Sequence, residues 1–322
     1  RDVAPSRGLG DVYKRQSQKD AKCQLAEKWV EKTVTDSELQ VSEDDTQIHI
    51  KGREFAYTID RRTALFTEMK FAGREYLNHP MELNIWRAPT DNDMYIKSEW
   101  KKAHYDKAYT RAYTTEVVQG KHGVKITSHA SVVAETVQKI LDVTITWKIE
   151  ATGKIDADIA VTKDDEFPDL PRFGVRMFLD KKLSAARYFG MGPQESYCDK
   201  HQAASHGLYQ ANVDDLHEDY IRPQENGSHY DCEYVELNNS RYGIVASAEK
   251  AFSFNASYYT QEELEEKTHN YELIESDSVV FCVDYALNGI GSNSCGPVVL
   301  EQYRFDDVLF RFQFTLIPYI KG

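Results

Sequence analysis

The sequence predicts a mainly β protein: a large antiparallel β-sandwich with a few short helices. Apolar and polar residues alternate with a period of two in several stretches, which indicates strands with one buried face. Aromatic residues make up 12% of the chain, with 20 Tyr and 14 Phe, and these residue types favour strands. Helical periodicity is scarce. Many short strands separated by turns are typical of sandwiches and barrels.

The alternation begins at Gln47. It runs through 47–51 and 55–59, and Lys51-Gly52 between them predicts a hairpin turn. A second hairpin turn is predicted at 71–74. Further strands are predicted at 124–132, 143–149, 155–161 and 308–316, the last with the most regular alternation.

Two helices are predicted. Thr260 and Glu263 form the pattern of a capping box, in which the Thr hydroxyl accepts from a backbone N–H and the Glu carboxylate reaches back. This pattern predicts a helix over 261–267. A second short helix is predicted over 98–104.

The 322 residues exceed the ~100–200 of one typical domain. Residues 1–16 are richer in Arg and Gly than the neighbouring sequence, and we expect a non-native or disordered tail there. Residues 17–46 are interpreted as a linker or the end of a preceding domain. The β-sandwich is predicted over 47–322.

Charge and cysteine content exclude several classes of function. The formal net charge of −13 disfavours phosphate backbones and anionic membranes, so no nucleic-acid or membrane partner is expected. The five cysteines are dispersed without a C-x-x-C pair, which argues against a zinc site and suits reduced thiols in the cytoplasm. No apolar run approaches the ~18–20 residues of a membrane helix.

No self-sufficient active site is evident. The sequence contains no G-x-S-x-G, P-loop, H-E-x-x-H or complete G-x-G-x-x-G pattern. A retaining glycosidase needs two carboxylates ~5 Å apart, but the spacing of the 52 acidic residues singles out no such pair.

Three non-periodic stretches combine rigid, aromatic and polar residues. They are 84–93, then 188–197 with 223–227, and finally 288–297. Loops of this composition on a β scaffold often carry binding groups. The same residue types also serve ordinary turns, and the sequence alone leaves both interpretations open for each loop.

Taken together, these stretches resemble a known family. Their patterns are W-R-A-P-T-D-N-D, Y-F-G-x-G-P-Q-E-S-Y, P-Q-E-N-G and G-x-G-S-N-S-C-G-P, in this order along the chain. They resemble the C-terminal, small-chain domain of the bacterial β-galactosidases of glycoside hydrolase family 2, and the resemblance covers about 47–322.

The resemblance implies a sandwich similar to galactose mutarotase and a place in an oligomer that hydrolyses terminal β-galactosides such as lactose. It implies that the catalytic glutamates lie in a TIM barrel, either upstream in the same chain or on a large subunit. No catalytic residue, metal ligand or cofactor is then expected in this chain, and Mg and Na are expected in the barrel.

In this family the late loop reaches the substrate pocket, which implies a pocket role for Asn293, Ser294 and Cys295. The best-known members have a Trp just after the Ser, where it stacks on the aglycone. Cys295 stands there in this sequence and offers far less stacking area, so we expect altered acceptor affinity.

Seven further residues are candidates for facing a sugar. Arg87, Asp91 and Asn92 lie in the first motif and are interpreted as mainly structural, with the Arg paired to a nearby Asp. The other four are the only candidates for a mutarotase-like acid–base pair: Glu195, Glu225, His206 and His229. A free-standing aldose 1-epimerase and a non-catalytic carbohydrate-binding module therefore remain as alternatives.

Overall fold

The computed structural model of the chain describes residues 39–136, 139–291, 294 and 297–321. All of these residues belong to one compact unit. The predictions for 1–16 and for most of 17–46 fall outside the described residues.

The described residues form seventeen strands, two α-helices and five short 3-10 helices. The strands are β1 (Gln40–Glu43), β2 (Gln47–Lys51), β3 (Phe55–Asp60), β4 (Leu65–Phe71), β5 (Arg74–Glu75), β6 (Leu77–Asn84), β7 (Tyr109–Gln119), β8 (Gly123–Val133), β9 (Leu141–Glu150), β10 (Ile155–Lys163), β11 (Arg172–Asp180), β12 (Ala185–Gly192), β13 (Ser205–Asn212), β14 (Ser228–Asn238), β15 (Tyr242–Ser257), β16 (Ser278–Leu287) and β17 (Leu309–Ile320). The α-helices are α1 (Ile96–Lys102) and α2 (Gln261–Glu266). The 3-10 helices span Asp91–Asp93, Tyr105–Lys107, Asp214–Leu216, Asn270–Glu272 and Glu301–Tyr303. The predicted fold class, an antiparallel β-sandwich with few short helices, is confirmed.

A smaller sheet contains the first five strands in the order β1-β2-β3-β4-β5. Each strand pairs antiparallel with the next, which confirms both predicted hairpins. Strand β1 was not predicted, because it is a polar edge strand whose side chains are mostly exposed and show no apolar alternation.

The larger sheet has twelve strands and branches at β15. The first part of β15, from Tyr242 to Ser247, pairs with β17, and the last part, from Ser253 to Ser257, pairs with β16. Both parts of β15 also pair with β14, with register shifts between them. The sheet therefore separates into two layers beyond the middle of this long strand.

Both sheets contribute to one apolar core. Trp147 of β9 packs edge-on against Phe66 of β4, with ring centroids 4.9 Å apart, and against Phe314 of β17. Its indole N–H donates to the carbonyl oxygen of Ala64 at 2.8 Å. This hydrogen bond satisfies the indole N–H, so the ring can be fully buried. Through these contacts the indole joins the two sheets.

The α-helices are short and lie in connections between strands. The Thr260 hydroxyl caps α2 by accepting from the Glu263 N–H at 3.1 Å, as predicted. The reciprocal half of the capping box was wrong, because the Glu263 carboxylate instead accepts from the Ile274 N–H at 2.8 Å. The predicted helix over 98–104 begins two residues earlier, as α1. None of the described helices combines the length and apolar character needed to cross a membrane.

Candidate functional site

The four motif stretches lie at strand ends and in the connections beside them. The stretch 84–93 begins at the last residue of β6, 188–197 contains the end of β12, 223–227 directly precedes β14, and 288–297 follows β16. Hydrogen bonds connect them to one another. Segments more than a hundred residues apart in sequence therefore meet at one place.

Arg87 links the first motif to the last. Its side chain is completely buried, and its guanidinium donates to the Asp93 carboxylate, with Nη2 2.7 Å from Oδ1. It also donates to the backbone carbonyl oxygens of Asn288 and Gly289. The structural interpretation of Arg87 fits this geometry. Its use as a sugar-facing group does not, because no part of the side chain reaches the surface.

The next residues of the first motif lie nearer the surface. The Thr90 N–H donates to the Asp93 carboxylate at 2.9 Å, which fixes the turn. Asp91 is exposed, and its N–H donates to the side chain of Gln224 at 3.1 Å. Asn92 is half-buried, and its amide donates to the Gly291 carbonyl oxygen at 3.0 Å. Of the first-motif candidates, only Asp91 and Asn92 have surface to offer a ligand.

Asp199 holds the base of the last motif loop, a role that the sequence did not reveal. Its two carboxylate oxygens accept from the N–H groups of Ile290 and Gly291 at 3.1 and 2.8 Å. A Cβ at Gly289 would lie 2.8 Å from the same carboxylate, so a larger residue there would displace Asp199. Asp199 lies just beyond the second motif, and nothing in its local sequence marks it.

The predicted tip of this loop is only partly described. Asn293 and Cys295 lie outside the described residues, so their pocket role and the missing Trp stay predictions. Ser294 is described as a half-buried turn residue. The structure therefore describes the anchored base, 288–291, and the segment from Pro297 onward.

Glu195 connects the second motif with the loop that follows β13. Its carboxylate accepts from Lys200, from the hydroxyl of Tyr220 and from the Gly227 N–H, the last at 2.9 Å. Only 6% of its side chain is exposed. These donors saturate the carboxylate, and its observed contacts are those of a structural link.

Glu225 lies in a buried ion cluster. Arg172 lies between its carboxylate, at 3.3 Å, and that of Asp284, at 2.7 Å. Burial raises the pKa of both carboxyls, and Arg172 opposes that rise. The backbone N–H of Glu225 also donates to the Ala88 carbonyl oxygen at 3.0 Å. Its proposed sugar-facing role is contradicted by this burial, and the guanidinium between the two carboxylates is unlike a hydrolytic pair.

The two candidate histidines have different surroundings. His229 is buried between the rings of Tyr188 and Phe254, at centroid distances of 4.5 and 5.0 Å, so it cannot face a sugar. Its Nδ1 donates to the Met191 carbonyl oxygen at 3.1 Å, and burial lowers its pKa to about 4. His206 is partly exposed and donates through Nε2 to the carbonyl oxygen of Asp231 at 3.0 Å.

An acid–base pair is not formed from the predicted group of four. In the described part of the chain, neither histidine hydrogen-bonds to Glu195 or Glu225. Among the same residues, no group of three His, Cys, Asp or Glu side chains is arranged to hold a metal ion. The expectation that Mg and Na bind in a separate barrel stays a prediction.

Residues 51–316 match the family model described as the β-galactosidase small chain. This chain belongs to that family. The matched range contains all four motif stretches and every candidate site residue, as well as Asp199 and the buried cluster around Arg172.

Curated relatives agree with the family. A β-galactosidase of Actinobacillus pleuropneumoniae is 44% identical over 285 residues, which are 88% of this chain and 28% of the relative. One from Staphylococcus xylosus is 32% identical over 305 residues, which are 95% of this chain and 30% of the relative. One from Kluyveromyces lactis is 28% identical, and the match covers 86% of this chain and 28% of the relative. This family member therefore spans under a third of the length of these relatives.

Solved structures with similar folds have little sequence in common with this small-chain domain. An α-mannosidase from Enterococcus faecalis V583 matches with a TM-score of 0.50 and 7% identity, over 90% of this chain and 31% of that one. At such low identity the likeness concerns the fold alone. A galactose 1-epimerase from Lactobacillus acidophilus matches with a TM-score of 0.47 and 7% identity, over 90% of this chain and 100% of that one.

Proposed function

We propose that this chain is the C-terminal β-sandwich or small subunit of a β-galactosidase that hydrolyses terminal β-D-galactosides such as lactose. In this proposal the catalytic glutamates, Mg and Na belong to a TIM barrel elsewhere in the enzyme. The chain supplies one edge of the substrate pocket and contacts within a cytoplasmic oligomer.

The proposal rests on how firmly the backbone of residues 288–291 is held in place. Arg87 and Asn92 come from the connection after β6 and Asp199 from the connection between β12 and β13, and all three hold this short stretch through its backbone. A loop whose base is fixed from several sides can present its tip at a constant position to a neighbouring domain. The segment beyond it is therefore suited to border a pocket formed with another part of the enzyme.

The buried carboxylates support a non-catalytic role for the isolated chain. Glu195 and Glu225 are acids of the motif loops, and both are held away from solvent, Glu195 by several donors and Glu225 by Arg172. Hydrolysis requires two carboxyls that flank a bond of the substrate. We therefore expect no glycosidase turnover from this chain alone. The epimerase alternative has less support, because its four candidate residues do not form a hydrogen-bonded pair.

Complementation tests the proposal. The chain is co-expressed with a fragment of a β-galactosidase relative that lacks the matching region, and hydrolysis of nitrophenyl β-galactoside and lactose is measured. We expect activity only when both pieces are present. Turnover by the chain alone, or no restoration with fragments of several relatives, would contradict the proposal.

Substitution of Asp199 tests the loop. Asp199→Ala removes the acceptor for two N–H groups, so the loop base loses its fixed position. We expect the complemented enzyme to lose at least about tenfold in kcat/KM, because small displacements of positioning groups are costly. Asp165→Ala, at an exposed carboxylate in the turn between β10 and β11, is the matched control and should retain full activity. Equal activities would refute the role of Asp199.

A further inference from the structure

A cleft of about 820 Å³ opens where β15 separates the two layers of the large sheet. One wall comes from β10 and β17, and the other from β14, β15 and β16. The segment 302–307 lines one end. This volume lies within the range of ~300–1,000 Å³ that small-molecule sites occupy.

The β10–β17 wall is polar and internally braced. Arg311 donates from Nε to Oδ1 of Asp158 at 2.6 Å, and a second bond joins the same two side chains. The Thr315 hydroxyl donates to Asp156 at 2.6 Å. Because these side chains hold one another, their remaining hydrogen-bonding positions are fixed before a ligand arrives.

The opposite wall and the end of the cleft carry three tyrosines. The ring of Tyr285 stacks on Phe310, with centroids 4.9 Å apart, and that of Tyr230 stacks on His201. Tyr303 lies in the segment at the end. Burial raises the pKa of Tyr230 and Tyr285, so both phenols are neutral donors. Among the described residues, none of the three hydroxyls has a hydrogen-bond partner.

Ser228 also lines the cleft. Its side chain is 1% exposed, and its hydroxyl has no partner in the described part of the chain. A buried hydroxyl without a partner costs free energy. A ligand hydroxyl or a water molecule in the cleft would remove that cost.

The charges of the cleft nearly cancel. Five acidic residues line it (Asp156, Asp158, Asp231, Glu249 and Asp307) together with four basic ones (Lys148, Lys250, Arg304 and Arg311). Such a lining does not select a strongly charged ligand, and the net charge of −13 disfavours anions. Rigid hydrogen-bonding groups beside aromatic rings suit an uncharged molecule with many hydroxyls.

We propose that this cleft binds a neutral saccharide of one or two rings, with the Tyr230, Tyr285 and Tyr303 phenols and the Ser228 hydroxyl bonding to its hydroxyl groups. The proposal does not depend on the activity proposed for the whole enzyme. Complementation and saccharide binding can therefore succeed or fail independently.

Binding of galactose and lactose to the full chain is measured by calorimetry and by ligand-observed NMR. We expect a millimolar or tighter Kd for at least one sugar. Ser228→Ala removes only the unpartnered hydroxyl, so it should weaken binding about tenfold without lowering the urea midpoint. Tyr303→Ala should weaken binding to a similar extent.

Tyr271→Ala is the control, because Tyr271 is 79% exposed and does not line the cleft. Its affinity should equal that of the unmodified chain. No binding of either sugar at tens of millimolar would overturn the proposal. Binding that neither Ser228→Ala nor Tyr303→Ala weakens would also overturn it, since the sugar would then occupy another site.

Discussion

At the scale of single residues, burial determines what an ion pair contributes. Arg172 and Asp284 are 1% and 0% exposed, whereas Arg311 and Asp158, also paired through two hydrogen bonds, are 62% and 19% exposed. Arg172→Met leaves two carboxylates buried without their cation, so we expect the free energy of unfolding to fall by about 3–5 kcal/mol. Urea denaturation measures the change.

Arg311→Met is the matched control for this prediction. Water solvates Asp158 once its partner is removed, so the urea midpoint should hardly move. Equal losses in the two variants would show that the cluster around Arg172 is not the buried support that its geometry indicates.

His229 makes stability depend on pH. Burial lowers its pKa from 6.5 to about 4, so between these values the unfolded chain binds a proton that the folded chain does not. The free energy of unfolding therefore falls as the pH drops from 6.5 to 4, by up to about 3 kcal/mol from this group. Well above pH 6.5 the histidine is neutral in both states and contributes no slope.

His229→Phe isolates this contribution. The new ring can pack between Tyr188 and Phe254 and cannot be protonated, so the variant should lose less stability on acidification. The difference between the two chains is measured by urea denaturation at several pH values, which cancels the effect of carboxyls common to both. Parallel curves from pH 6.5 to 4 would count against a buried, neutral histidine.

At the scale of structural elements, two glycine turns differ in how closely the backbone of another segment approaches them. Gly227 and Gly73 both have positive φ, at 69° and 74°. A Cβ at Gly227 would lie 2.3 Å from the Leu216 carbonyl oxygen, whereas one at Gly73 would meet nothing within 4 Å. Gly73→Ala should cost about 1 kcal/mol from backbone strain alone.

Gly227→Ala adds a steric clash to the same strain, so its unfolding midpoint should fall clearly further than that of Gly73→Ala. The comparison is made by urea denaturation of both variants. Similar midpoints would mean that the loop at Gly227 can move away from Leu216 at little cost, contrary to its place among the joined motif connections.

Most strands that alternation predicted have one face that is more exposed than the other, namely β2, β8, β9, β10 and β17. Strand β3 was also predicted, although all but one of its residues are buried. Strands β11 and β16 are buried on nearly every residue, so their sequences contain no alternation and were not recognised. Local periodicity therefore identified mainly the strands with one exposed face, and it did not identify β11 and β16.

For the site, as for the strands, the sequence predicted local features and not the contacts between distant segments. The pairing of Arg87 with a nearby aspartate is evident from local sequence, and the structure shows the partner to be Asp93. The bonds from the Ile290 N–H to Asp199 and from Arg172 to Asp284 join segments about ninety or more residues apart. One sequence contains no signal for such pairs.

At the scale of the whole molecule, the two sheets are expected to unfold together. Tyr57 of the smaller sheet donates to the Gly153 carbonyl oxygen at 2.7 Å, beside the turn between β9 and β10. Phe66 packs against Trp147, and both belong to a single cluster of buried apolar residues. A sheet whose apolar face is shared in this way has no independent core.

Phe66→Ala tests this coupling. The substitution leaves a cavity between the sheets and should lower the free energy of unfolding by about 3–5 kcal/mol. Because the cavity belongs to a shared core, hydrogen exchange should accelerate equally for amides of β3 and of β9. Val118→Ala, at a half-exposed residue of β7, should leave both rates unchanged. Faster exchange confined to the smaller sheet would show that it unfolds separately, and the shared core would then not control the stability of the molecule.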